Sequence, residues 1–109
     1  MNNSIYKGDD TSAFGNNFVR ITIKNPDQKP ISKIEFNVNA GIIIQTFTDT
    51  NNFTEENIVL IVNLNSEETS KLSSTNVANV ICYDMNGKQF TCRQTLRFSA
   101  VNGVICRHA

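Results

Sequence analysis

At 109 residues the chain has room for one core, and a single domain over 1–109 is the expected organisation. Ten Lys plus Arg against ten Asp plus Glu leave no long-range field to draw it to nucleic acid or an anionic membrane, and no apolar run approaches the roughly 18 residues that span a bilayer. Three cysteines, an odd number, argue against a disulfide framework and for a reducing compartment, and the opening M-N-N-S-I-Y-K-G-D-D lacks the basic-then-apolar pattern of a secretory signal, so a cytoplasmic origin is expected.

In F-V-R-I-T-I-K (18–24) the apolar Val19, Ile21 and Ile23 fall on one face and Arg20, Thr22 and Lys24 on the other, the period-two pattern of a half-buried strand. N-P-D-Q-K-P (25–30) is a turn that no helix tolerates. K-I-E-F-N-V-N (33–39) repeats the alternation with Ile34, Phe36 and Val38 inward, and adjacency in sequence predicts that these two strands are neighbours. G-I-I-I-Q-T-F (41–47) and I-V-L-I-V-N-L (58–64) are β-branched runs expected to be strands covered partly on both faces; the segment 48–57 between them reads as a polar loop. S-E-E-T-S-K-L (66–72) is the one helical stretch, with Ser66 as the expected cap and Glu67 and Glu68 at the positive end of the helix dipole. V-A-N-V-I-C-Y-D (77–84), the Asn86-Gly87 turn and Q-F-T-C-R-Q-T-L-R-F-S-A (89–100) form a hairpin, because Asn-Gly supplies the positive φ that a tight turn needs. Asn is frequent throughout and sits mostly in or beside presumed turns, where its side chain bonds nearby main chain. Six to eight short strands with one helical turn make an antiparallel sandwich or a barrel.

The cysteines flanking the turn depend on its length. A two-residue loop sets Cys82 opposite Thr91 and Ile81 opposite Cys92, on opposite faces of the sheet; a three-residue loop puts both cysteines on one face, as diagonal neighbours at about 7–8 Å, beyond the usual span of a disulfide. Cys82, Cys92, Cys106 and His108 have the ligand count of a zinc site without any familiar ligand spacing, so small apolar roles are expected for the cysteines. The C-terminal C-R-H-A lacks the aliphatic pair of a prenylation box. Gly8-Asp9-Asp10 and Glu67-Glu68 read as a solvated turn and a helix start. His108 is the only histidine, and a catalytic triad through it is not expected. No tryptophan and two tyrosines leave little for a sugar- or base-stacking platform. The residues assign no enzyme, cofactor or metal. The outward face of the last strand reads Thr91, Arg93, Thr95, Arg97, Ser99, opposite Phe90, Cys92, Leu96 and Phe98, a stripe that is a candidate docking face although such stripes are more often solvated strand surface.

Three stretches, S-I-Y-K-G-D-D, L-N-S-E-E-T-S-K-L-S and V-I-C-Y-D-M-N-G-K-Q-F-T-C-R-Q-T-L-R-F-S-A-V, together resemble the immunoglobulin-like β-sandwich domains at the N-termini of bacteriophage upper-baseplate and tail-fibre proteins. The matching positions are Lys7, Gly8 and Asp9; Glu67, Glu68, Thr69 and Leu72; and Asp84, Gly87 and Thr91. Ser74-Thr75-Asn76-Val77 stands where the family carries Gly-x-Tyr. The receptor-binding region that follows such domains is not in this sequence, which makes an adaptor or decoration role the expectation. The resemblance implies an all-β, antiparallel immunoglobulin-like sandwich. It also implies a non-enzymatic virion structural protein, made in the bacterial host cytoplasm, that binds other virion proteins or copies of itself as a homo-oligomer. Partner contact is expected at Tyr6, Lys7, Asp9 and Asp10 and at Arg93, Thr95 and Arg97, since termini and sheet edges offer unpaired backbone. The alternative is a small intracellular inhibitor or effector encoded by a phage.

Overall fold

Alternation of β-branched and polar residues builds two sheets with their apolar sides facing each other. The structure, a computed structural model, describes residues 3–5, 18–50, 52–73, 75–98 and 105–108, the first and last of these segments as backbone only. Among the described residues there are nine strands, β1 (Asn3–Ile5), β2 (Phe18–Lys24), β3 (Lys33–Val38), β4 (Ile43–Phe47), β5 (Asn57–Asn63), β6 (Thr75–Tyr83), β7 (Gln89–Phe90), β8 (Arg93–Phe98) and β9 (Ile105–His108), with one helix, α1 (Ser66–Ser70). One sheet runs β1-β5-β2-β8 and the other β4-β3-β6-β7, with β9 also on β6. The all-β, sandwich-like fold read from the sequence is therefore present. The strands exceed the expected six to eight, and β9 pairs parallel to β6 within otherwise antiparallel sheets.

The core lies between the sheets. Val19, Ile21 and Ile23 from β2, Ile34, Phe36 and Val38 from β3, and Leu60 and Val62 from β5 are all fully buried. Burial of each such side chain contributes about 1.5–3 kcal/mol, which is why a one-residue slip in any of these strands is forbidden.

Four expectations need correction. Strands β2 and β3 are not neighbours: β2 pairs with β5 and β8, whereas β3 pairs with β4 and β6. The turn 25–30 carries the chain from one sheet to the other. It is held by Asn25, whose side chain donates to the Lys29 carbonyl at 2.9 Å and accepts from the Lys29 N–H at 3.2 Å. Second, β4 is covered on one face only, since Ile43, Gln45 and Phe47 are buried while Ile44 is 55% exposed. Third, the helix cap is Asn65, which accepts from the Glu68 N–H at 2.7 Å while Glu68 accepts from the Asn65 N–H at 3.0 Å, a reciprocal capping box one residue earlier than Ser66. Fourth, 89–100 is not one strand. Phe90 ends β7 in one sheet, Thr91 and Cys92 cross the open side of the sandwich, and Arg93 begins β8 in the other sheet.

The segment 48–57 is also less polar in role than in composition. Phe53 is buried and pinned to Ile31 by reciprocal backbone bonds of 3.0 Å, so the loop supplies a core residue.

Candidate docking face and corner cavity

Register determines what the outer face of the first sheet presents. Across β2 and β8, Arg20 stands opposite Arg97, Thr22 opposite Thr95 and Lys24 opposite Arg93. The inward residues of the same strands are in the core or packed against it, Leu96 and Phe98 among the latter. All six outward residues therefore share one face, two cationic rungs about a threonine rung. From Arg20 to Lys24 the ladder spans roughly 13 Å at about 3.3 Å per residue. Arg93, Thr95 and Arg97 are exposed, as is Lys24. No Asp or Glu occurs in β2, β5 or β8. On the β5 side, Lys24 donates to the Asn57 side-chain oxygen at 2.7 Å, a neutral partner. Like charges directly opposite in an antiparallel pair are unfavourable, which singles out the Lys24–Arg93 rung, where both side chains are exposed.

The structure thus brings the predicted Arg93, Thr95 and Arg97 onto one exposed face and adds Arg20, Thr22 and Lys24, which sequence reading did not include. The signal was there: R-I-T-I-K in one strand and R-Q-T-L-R in another carry the same Arg-x-Thr-x-cation spacing. Their pairing is a tertiary fact that spacing cannot supply. Tyr6, Lys7, Asp9 and Asp10 lie outside the described residues, as do the side chains of Cys106 and His108. Among the described residues no three His, Cys, Asp or Glu side chains gather as metal ligands.

At one end of the ladder the crossing segment leaves a cavity of about 560 Å³, lined by β2's last residue, the 25–29 turn and residues 90–93. Three cations, Lys24, Lys29 and Arg93, face one acid, Asp27, around it. The Lys29 ammonium also sits 4.7 Å from the centre of the Phe90 ring. On the far side of the crossing segment, Gln94 of β8 donates to the Val80 carbonyl of β6 at 2.7 Å, tying the two sheets together.

Cys92 lines this cavity and meets Cys82 behind it. The hairpin loop has three residues, Met85 to Gly87, with Cys82 opposite Phe90 and Gly87 at φ +77°; that register puts both cysteines on the core side. Both thiols are free, Cys82 buried and Cys92 half-buried. Burial, reinforced by the neighbouring Cys92, pushes the Cys82 thiol up to about 12, so it stays protonated. Burial raises Cys92 as well, opposed by the neighbouring Cys82 thiol and by the Lys29 charge. Cys92 is therefore the member of the pair that ionises first.

Comparison of the chain with family models, with curated proteins and with solved structures finds no match.

Proposed function

We propose that this chain is a non-enzymatic assembly domain whose β2–β8 face docks an acidic surface of another protein. The observation that carries the reading is the ladder of Arg20, Arg97, Lys24 and Arg93 around Thr22 and Thr95, built from three acid-free strands. Arginine is favoured at protein interfaces because its planar fork binds carboxylates through two hydrogen bonds. The backbone of the face is fixed, since the opposite side of both strands is locked into the core, so docking has side chains to order but no strand. A protein is favoured over a single-stranded nucleic acid because the ladder carries no aromatic residue on which bases could stack, and over a duplex because the chain carries no net charge to draw it to a phosphate backbone. Contact with a second copy through this face is heterologous, because a two-fold contact would set the same cations against each other.

The setting we propose is a phage particle, as a tail, baseplate or fibre adaptor or a capsid decoration. It is supported by the resemblance carried by Lys7-Gly8-Asp9, Glu67 to Leu72 and Asp84 to Thr91. The finer immunoglobulin-like description draws support from β3, β6 and β7 lying side by side as the C, F and G strands of that fold do, and β8 departs from it by joining β2 in the other sheet. Quantitative mass spectrometry of purified particles tests the setting. A fixed ratio to the major capsid protein is the expected result. Absence from particles with abundance in infected lysate overturns it and favours the inhibitor reading. Incorporation of an Arg93→Glu, Arg97→Glu chain at the wild-type ratio overturns the face.

A further inference from the structure

The corner cavity goes beyond the assembly reading and does not depend on it. Lys24 and Arg93 are directly opposed across β2 and β8, and Lys29 reaches the same space from the turn. Three cations brought to one concavity repel one another, and Asp27 at the rim together with Asp84, which interacts with Lys29, offsets only part of that charge. The turn that presents Lys29 is fixed in advance. Asn25 is 3% exposed, its N–H donates to the Glu56 carbonyl at 2.7 Å, and its side chain brackets Lys29 main chain. Gln28 holds a left-handed φ of 49° inside the same turn, a conformation that non-glycine residues adopt only where surrounding bonds enforce it. The floor is not charged: Phe90 offers a ring and Cys92 a thiol. A preorganised concavity of this volume, with an apolar floor and convergent cations, has the features of a small-ligand site.

We propose that this cavity binds a small polyanion through its phosphate or carboxylate groups, with Lys29 and Arg93 as the principal contacts and Lys24 at the rim. The ligand's charge relieves the repulsion between Lys24 and Arg93, and the Phe90 ring supports its body. Cys92 does no chemistry in this proposal. It is a reporter on the cavity floor, and it ionises ahead of the buried Cys82.

The test uses the full chain and its own thiols. Trypsin cuts after Lys88 and Arg93, so Cys92 falls alone on the peptide Gln89–Arg93, while Cys82 and Cys106 fall on others. Alkylation at each cysteine is followed by mass spectrometry at mildly alkaline pH. Inorganic pyrophosphate and citrate are the two probes, each compared with sodium chloride of equal ionic strength. The expected result is that at least one probe slows iodoacetamide at Cys92 several-fold and leaves Cys106 unchanged. Protection by pyrophosphate alone assigns phosphate chemistry, by citrate alone carboxylate chemistry, and by both a general oxyanion site. In Lys29→Met the protection should vanish, and circular dichroism separates that loss from unfolding. If neither probe protects Cys92 in the wild-type chain, the proposal is overturned.

Discussion

The outer faces of the two sheets are built on the same alternation and dispose of their charges in opposite ways. On the β4-β3-β6 face, Lys33 lies over the ring of Tyr83 at 4.3 Å, its cross-strand partner, and Glu35 accepts a 3.5 Å hydrogen bond from Asn37 two residues along the strand. Cation and anion alternate along β3 and each has company within the sheet. On the β5-β2-β8 face, cations face cations across the strand pair and the strands supply no acid. A solvated sheet surface needs only the first arrangement. The Lys24–Arg93 rung is the less favourable arrangement of the two, which is why the proposed docking face is read there.

Charge reversal has the largest expected effect. Arg93→Glu with Arg97→Glu should lower incorporation into particles about a hundredfold, or about 2.7 kcal/mol, because two attractive contacts become repulsive. Lys33→Glu on the other face should leave incorporation unchanged. Equal losses from both would show that net charge, not the ladder, governs assembly.

How far these features could be seen in the sequence depends on whether they are local. Val19, Ile21 and Ile23 are buried as their alternation dictates, because inward and outward positions follow from backbone geometry alone. Strand partnership was not legible. The Asn25 turn crosses between sheets instead of making a hairpin, and nothing in N-P-D-Q-K-P distinguishes those outcomes. The break at Thr91-Cys92 was hidden for a similar reason, since alternation runs on unbroken through Phe90, Cys92, Gln94, Leu96 and Phe98 while the chain changes sheet. Half of the docking face was visible in Arg93, Thr95 and Arg97. The other half, Arg20, Thr22 and Lys24, and the cavity at its end required the register of β2 against β8.

Smaller effects sharpen the comparison within the isolated domain. Lys33→Ala removes the contact with Tyr83 and should cost about 0.5–1 kcal/mol in denaturant unfolding. Arg93→Glu should have the opposite sign. It sets a carboxylate against Lys24, relieves a like-charge rung, and should raise stability by about 0.5 kcal/mol at low salt, a gain that fades as salt screens it. A single substitution that stabilises the domain while weakening incorporation would identify the ladder as retained for binding. A destabilised Arg93→Glu would mean that the rung has a compensation inside the fold.

The smallest effect concerns Asp84, which closes the hairpin of the compensated sheet. Its carboxylate accepts from the Lys88 N–H at 2.9 Å and the Asn86 N–H at 2.8 Å. The Lys88 bond is the largest of the influences that hold it below the ordinary carboxylate value, and Lys29 and Lys88 add to them. A carboxyl whose folded value is depressed binds its proton more readily in the unfolded chain. Its contribution is therefore full above the unfolded value, near pH 4, and disappears as pH falls through the folded one. Asp84→Asn keeps an acceptor oxygen for both N–H groups and removes only the charge. The variant should be slightly less stable than the wild type at neutral pH, with the difference closing in acid, as measured by thermal melts across that range. The same substitution should leave the salt response of the β2–β8 ladder nearly unchanged, since the Lys29 charge is its one link to that corner. A salt response that changed with Asp84 would mean that the two faces are coupled.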